Sequence, residues 1–367
     1  MISRHLRILY VAYPLLPVSH STCGGAEQVL VTLEAEMARR GHSTVVAACS
    51  GSRVAGKLLP TGAAPVELDQ YEEREAVHHT CTLDLLRRHP AAFDLVHDMS
   101  GSFWRRADEL EVPVLATLHL PRSCYVDSFH DIPGNVVFNC VSQSQAPAFE
   151  DLPGPPVVVR NGVRLETFPL TTGKRAYLLW LGRICEEKGA HLALDVAERA
   201  GLPIVIAGQV YPFSYHQHYF EREVQPRLRR RKGAARFVDT PAAAERVELL
   251  RHARALLLPT LAEETSSLVS IEAMACGTPV IAFRRGALPE IVVDGVTGFL
   301  VNSVEEMAAV LPQVSNLDPS AGRKRVDDFH SAARLADDYE LLYQGVLAQG
   351  ERTLHPCHAE DWQLATN

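Results

Sequence analysis

The stretch "RALLLPTLAEETSSLVSIEAMACGTPVIAF", residues 254–283, begins and ends on a short apolar run, "RALLLP" and "TPVIAF". Each has the length and composition of a buried strand. Between them a polar loop, 259–265, precedes "LVSIEAMAC", and the spacing predicts a helix over 267–276 with Ser266 or Ser267 at its N-cap. Strand, helix, strand in this order is the repeating unit of a parallel sheet with crossover helices.

The same alternation continues in both directions. Toward the C-terminal side lies "TGFLV"; toward the N-terminal side lie "AYLLWLGRI", a helix over 189–200, "LPIVIAG", a helix near 217–231, "AARFVD" and a helix over 241–253. An earlier series contains "RILYVAY", a helix over 26–40, "STVVAAC", "FDLVH", "VPVLATLH", "NVVFNCVS" and "PPVVVRNG". At about 150 residues per domain, 367 residues suggest two domains. The expected fold is α/β, with two facing doubly wound, Rossmann-like parallel-sheet domains joined near 164–174. The expected boundaries are 1–168, 169–330 and 331–367, the last holding a closing helix that crosses back to the first domain and a tail. Ligands of such sheets bind outside the carboxyl ends of the strands, so the cleft between two facing domains is the expected site.

Composition narrows the function classes. The chain is 47% hydrophobic and 22% charged, as in ordinary globular proteins. A net charge of −8 argues against a nucleic-acid partner, whose phosphates call for surplus Lys and Arg. The eight cysteines, including Cys23 and Cys357, form no C-x-x-C pair and read as reduced core thiols of a cytoplasmic protein. The apolar N-terminal run is interrupted by prolines and reads as a first strand rather than a signal peptide. No transmembrane segment is expected, and at most peripheral membrane contact.

Chemistry concentrates at the predicted strand ends. Glu264 falls in the loop before the helix, and Glu272 lies five residues beyond Ser267, roughly 8 Å along a helix axis. Free amides at a helix N-terminus bind anions. The interval therefore suits a nucleotide-diphosphate sugar, with the sugar at Glu264, the diphosphate at the helix start and the ribose on Glu272. Two solvated glutamates on a capped surface helix remain the alternative. "WLGRICEEKG", 180–189, adds Arg183 and Lys188 in another strand-to-helix loop, where two cations would stabilise a departing diphosphate. In "TCGGAEQVL", 22–30, Gly24 and Gly25 permit close approach to a phosphate, without a G-x-G-x-x-G or P-loop pattern.

Taken together, the "GGAE" loop with "RRGH", "TLH" at 117–119, "NGV" at 161–163, "GRICEEKG", the two glutamates of "ETSSLVSIEAMACGTPVIA" and "GALPEIVVDGVTGFLV" resemble the family-4 retaining glycosyltransferases of GT-B architecture. The resemblance runs nearly end to end and is weakest over 51–110 and after 350. It implies Arg183 and Lys188 on the diphosphate, Glu272 on the ribose, and Glu264 at the donor sugar. It also implies His119 facing that sugar from the acceptor side, with Gly24, Gly25, Ser267, Leu268 and Val269 lining the donor. A UDP-sugar is favoured over a GDP-sugar, and the acceptor is a hydroxyl of a glycan, a lipid-linked sugar or a small molecule, held by first-domain loops including 13–23 and 120–134.

Two departures stand out, Thr265-Ser266-Ser267 where the family has glycine, and "FVDTP" at 237–241. No D-x-D motif occurs, so neither metal nor other cofactor is expected. "HQH" at 216–218 and "HPCH" at 355–358 read as surface and tail histidines. "PRLRRRKG" at 226–233 reads as a solvated helix end, and "FWRR" at 103–106 as a weak hint of acceptor or interface binding. A nucleotide-sugar epimerase of the same fold and a non-catalytic nucleotide-sugar-binding protein remain rival readings, and a nicotinamide dehydrogenase lacks its glycine fingerprint.

Overall fold

The computed structural model describes residues 5–353 apart from 21, 23, 66, 126–128, 174–176 and 212. Its strands are β1 (Arg7–Val11), β2 (Ser43–Ala48), β3 (Lys57–Pro60), β4 (Leu95–Asp98), β5 (Val114–Leu118), β6 (Val136–Cys140), β7 (Val157–Val158), β8 (Leu178–Leu181), β9 (Ile204–Gly208), β10 (Ala235–Asp239), β11 (Ala255–Leu258), β12 (Val280–Phe283) and β13 (Gly298–Val301). They form two sheets, ordered β3-β2-β1-β4-β5-β6-β7 and β10-β9-β8-β11-β12-β13. Pairings such as β1 with β2 and β4, and β8 with β9 and β11, are parallel. Strand order therefore reverses between β1 and β4 in one sheet and between β8 and β11 in the other. Such reversals open the crevice in which doubly wound sheets bind ligands.

Two compact units divide the chain: Met1–Leu118 with Asp127–Asn139 and Ala336–Asn367, and His119–Val126 with Cys140–Leu335. In the second unit the unbroken apolar strands are explained by burial on both faces. Leu179, Leu181, Leu256, Leu258, Val280 and Ala282 enter one core, which also takes Ile271 and Met274 from helix Leu268–Ala275. The alternate residues Leu178, Trp180, Ala255, Leu257, Ile281 and Phe283 enter the other, with Ala193 and Leu194 of helix Ala190–Arg199. A strand that faces two cores has no polar side to alternate.

In the first unit a buried polar knot fixes the last helix, Ala332–Thr353, to the sheet. Tyr343 Oη lies 3.2 Å from Tyr10 Oη and 2.8 Å from His97 Nδ1, while His97 Nε2 lies 2.7 Å from Thr117 Oγ1. Thr117 Oγ1 in turn donates to Asn139 Oδ1 at 2.7 Å, and Tyr339 Oη lies 3.1 Å from Thr117 Oγ1. Satisfied polar groups of this kind fix one docking geometry, because any slip strands a donor or acceptor out of water.

Several elements differ from expectation. Strand β3 and helix Tyr71–Arg88 lie between the expected strands "STVVAAC" and "FDLVH", where the sequence suggested no element. That helix buries His78, His79 and Thr82 beside only two leucines, Leu83 and Leu86, so an apolar count misses its inner face. "PPVVVRNG" keeps only the two residues of β7, since the prolines ahead of it supply no N–H for a ladder. The helix expected near 217–231 runs as Ser214–Tyr219, a π-helical stretch Phe220–Val224, and Gln225–Arg230 beyond.

"FWRR" is structural: Phe103 and Trp104 are buried, and Arg105 lies 4.9 Å over the Trp104 ring. The basic run is partly neutralised, with Arg227 paired to Asp195 at 2.8 Å and Arg230 to Glu198 at 2.6 Å. Among the described cysteines, Cys49, Cys140, Cys185 and Cys276 are buried, whereas Cys81 is half-buried and Cys124 exposed, so the expectation of core thiols fails at those two. Cys23, Cys357 and the "HPCH" tail lie outside the described residues, as does part of each expected acceptor loop. No helix among the described residues is long and apolar enough to cross a membrane.

Candidate functional site

Strands β8 and β11 are neighbours, so the loops at their carboxyl ends meet. The first loop turns through Glu186–Lys188 to Gly189, whose φ of +71° is left-handed. A Cβ on Gly189 would overlap the carbonyl oxygen of Pro259, so only glycine lets the two loops approach this closely. The contact is then stitched by backbone and hydroxyl groups. Leu261 N–H and Thr260 Oγ1 both donate to Glu187 O, at 2.7 and 3.0 Å.

This junction brings Lys188 to Glu264. Lys188 Nζ lies 2.6 Å from Glu264 Oε1, which also accepts from Thr260 Oγ1 at 3.0 Å. The ammonium remains about one-third exposed and the carboxylate mostly covered, at 31% and 13%. The pair thus has an open cationic side and a shielded anionic one. Arg183 stands on the same loop and pairs with Glu187 at 2.9 Å, both side chains about 40% exposed. Ion pairs this exposed hold little energy, so Arg183 is easily drawn to a more highly charged partner.

Glu264 is held from a third side. Its carbonyl accepts from Ala287 N–H at 2.7 Å. Gly286, at φ +50°, passes so close to the Glu264 backbone that any Cβ would collide with it. The neighbouring Glu263 carboxylate accepts from Gly286 N–H at 2.7 Å. These contacts give "GALPEI" a positioning task beside the first glutamate, which the sequence pattern contained without explaining.

Helix Leu268–Ala275 follows, with Ser267 at the N-cap position. Contrary to expectation, Ser267 makes no side-chain cap. Its Oγ lies 2.8 Å from Ser270 Oγ instead. The side chain therefore leaves the first-turn amides of Leu268 and Val269 uncapped, and the helix dipole favours an anion there.

Glu272 is buried on that helix, with Oε1 2.6 Å from Arg246 Nη2. Burial pushes its carboxyl above the usual range, while Arg246 opposes the shift. Arg246 had no distinguishing sequence feature, since its helix, Ala243–His252, precedes β11 in the chain.

His119 reaches the same unit through Thr265. Thr265 Oγ1 donates to the His119 carbonyl at 2.7 Å. The residue that departs from the family's glycine thus serves as an anchor. His119 is buried, its Nε2 has no partner among the described residues, and burial pushes the imidazole down to about 4. At neutral pH the ring is uncharged.

Gly24 and Gly25 belong to the first unit, at the start of helix Gly25–Arg39. Gly24 is extended rather than left-handed, and a Cβ there would overlap the Glu27 carboxylate. The lack of a side chain at Gly24 thus makes room for Glu27, which is buried and raised in pKa by that burial. His216, expected at the surface, is fully buried, while His218 is exposed.

Residues 175–316 match the family described as Glycosyl transferases group 1. The chain is 29% identical to the D-inositol 3-phosphate glycosyltransferase of Thermobifida fusca over 222 residues, 53% of this chain and 49% of that protein. It is 32% identical to the glycogen synthase of Mycobacterium tuberculosis over 194 residues, 50% of this chain and 44% of that one. It thus spans about half the length of these curated relatives. The solved structure of Anabaena Alr3699/HepE in complex with UDP-glucose superposes with a TM-score of 0.74 over 93% of this chain and 100% of that one, at 16% identity. Residues 175–316 therefore carry a glycosyl transferases group 1 sequence, within a chain whose two parallel sheets have the GT-B fold.

Proposed function

We propose that this chain is a retaining glycosyltransferase of family 4 that moves a hexosyl group from a nucleotide diphosphate, UDP before GDP, to an acceptor hydroxyl. The observation that carries the reading is the junction after β8 and β11. There Arg183, the exposed side of Lys188 and the uncapped helix start offer positive potential within the group 1 segment. Negative charge grows on the leaving diphosphate as the glycosidic bond breaks. Cations and amides fixed in advance stabilise that charge without reorganising during the reaction. No divalent metal is then required on the diphosphate, and we expect the rate to be independent of added Mg2+.

In this reading Glu264 holds the sugar hydroxyls through one oxygen, while Oε1 keeps Lys188 oriented at 2.6 Å. Glu272 meets the ribose, with Arg246 as its resting partner. Neutral His119 is suited to accept or donate a hydrogen bond at the sugar rather than to add charge. With no carboxylate assigned as nucleophile, the acceptor attacks from the face the diphosphate leaves, and its proton passes to the departing phosphate. Gly24 and Gly25 complete the donor site from the first domain in this reading. The acceptor side falls to that domain, and a cytoplasmic location belongs to the reading, supported by the free cysteines among the described residues.

A thermal-shift screen of nucleotide sugars tests the donor, since a ligand at 100 times its Kd adds about 2.7 kcal/mol of stability. UDP-hexoses are expected to give the largest shifts. Incubation without acceptor should give only slow hydrolysis, whereas conversion to a sugar isomer would establish an epimerase. Donor binding with no transfer to a broad acceptor panel would leave a binding protein.

A further inference from the structure

Beside the donor loop lies a second constellation that the transfer chemistry does not use. Cys185, Glu187 and His216 bring a sulfur, a carboxylate oxygen and an imidazole nitrogen within 4.8 Å of one another. Cys185 and His216 are fully buried. The imidazole is enclosed by Tyr215, Phe213 and Tyr211, with ring centroids 4.1, 5.5 and 5.8 Å away. Neither of its nitrogens has a hydrogen-bond partner among the described residues. A neutral imidazole always presents one donor and one acceptor, and leaving both unmet inside the fold is costly. The Cys185 thiol donates to Arg183 O at 3.4 Å and the Glu187 carboxylate pairs with Arg183 at 2.9 Å, so of the three it is the imidazole that has no partner among the described residues, and all three are near enough to share one ion.

We propose that Cys185, Glu187 and His216 form a Zn2+ site that ties the loop after β8 to helix Ser214–Tyr219. A thiolate, an imidazole and a carboxylate are the donors zinc takes, at roughly 2.0–2.3 Å. Magnesium and calcium prefer oxygen alone. Tetrahedral ligands at these bond lengths stand roughly 3.3–3.6 Å apart, so the cluster closes by a modest shift of half-exposed Glu187. On binding, the Cys185 S–H bond breaks, its proton passes to water and the sulfur lone pair joins the metal. The fourth position remains open to a water. Glu187 would then be shared between the ion and Arg183, which links metal occupancy to the guanidinium on the donor loop. The site stands on the geometry of these three side chains and not on the transferase reading.

The test uses the full, reduced chain stripped of metal. Zn2+ is titrated against a chromophoric chelator, and Co2+ is added to reveal a thiolate-to-metal charge-transfer band. Wild type is expected to bind one equivalent and show the band. Cys185→Ser should abolish the band, and His216→Ala should weaken Zn2+ binding by about 100-fold or more, beyond the loss typical of outer-shell partners. His355→Ala/Cys357→Ser/His358→Ala, which removes the tail donors, should keep both. Because core variants can misfold, Glu187→Gln serves as the surface control. Its melting temperature without metal should match wild type, and the Zn2+-induced rise should vanish. Equal binding by wild type, His216→Ala and Glu187→Gln, loss of binding in the tail variant, or no stoichiometric Zn2+ would each overturn the site.

Discussion

The two sheets reverse strand order at matching places, β1 beside β4 and β8 beside β11, yet the charged residues around those places are arranged differently: ion pairs in one, buried carboxylates in the other. In the second unit they present Arg183 and Lys188. In the first they present Glu27 and Asp98, with Tyr71, Glu75 and Ser102 joined nearby at 2.9 and 2.7 Å. Asp98 is wholly buried and pushed up to about 6 by that burial, although amides of Ser100, Gly101 and Trp104 point at it. One architecture thus carries partly exposed cations paired with carboxylates in the second unit, and buried carboxylates held by amides and hydroxyls in the first. Topology fixes where a ligand fits, and side-chain charge fixes which ligand.

The contrast is tested most severely by removing its cations. Lys188→Ala or Arg183→Ala should lower kcat on the order of 100- to 1000-fold with smaller change in donor KM, read from steady-state transfer. Full turnover in both variants would end the assignment. Glu264→Ala should impair transfer nearly as much while UDP affinity, measured by calorimetry, is retained.

Next comes the buried pair. Glu272→Ala should mainly raise donor KM. Arg246→Ala strands the Glu272 carboxylate and should cost roughly 2–3 kcal/mol in denaturant unfolding, less than a fully buried pair because Arg246 keeps some water.

Acid should weaken the fold. His119 and His330, each pushed down to about 4 by burial, stay neutral while the unfolded chain takes up protons below about 6.5. Their contribution is complete above 6.5 and is lost as pH falls from 6.5 toward 4. In the first unit His78, at about 3, and His79, at about 4, act in the same direction, whereas raised Asp98 opposes them. Melting temperatures across this range should fall with pH, and His119→Gln should flatten the slope.

The smallest effect belongs to the first unit's edge. Glu27→Gln keeps the side-chain shape that fills the space beside Gly24 and should change donor KM only slightly, as measured with both substrates varied.

Much of the fold was readable because buried parallel strands write themselves as apolar runs, as "LLWL", "IVIAG" and "ALLL" do at β8, β9 and β11. Helix Tyr71–Arg88 escaped because its inner face is made partly of histidine and threonine, whose burial depends on partners such as Thr61, 2.8 Å from His78 Nδ1. At the site, Arg183, Lys188 and Glu264 stood out by their place at strand ends. Thr260 and Arg246 did not, because their importance is a matter of what they touch.

The sequence by itself determined the alternation of strands and helices, the two series and the cations at one set of strand ends, since these follow from local pattern and from which residues fall after each apolar run. Only the tertiary structure decided that Lys188 meets Glu264, that Arg246 meets Glu272, that Thr265 anchors His119, and that His216 is buried beside Cys185. Those pairings join residues distant in the chain, and burial and charge at such places are set by the neighbours that packing supplies.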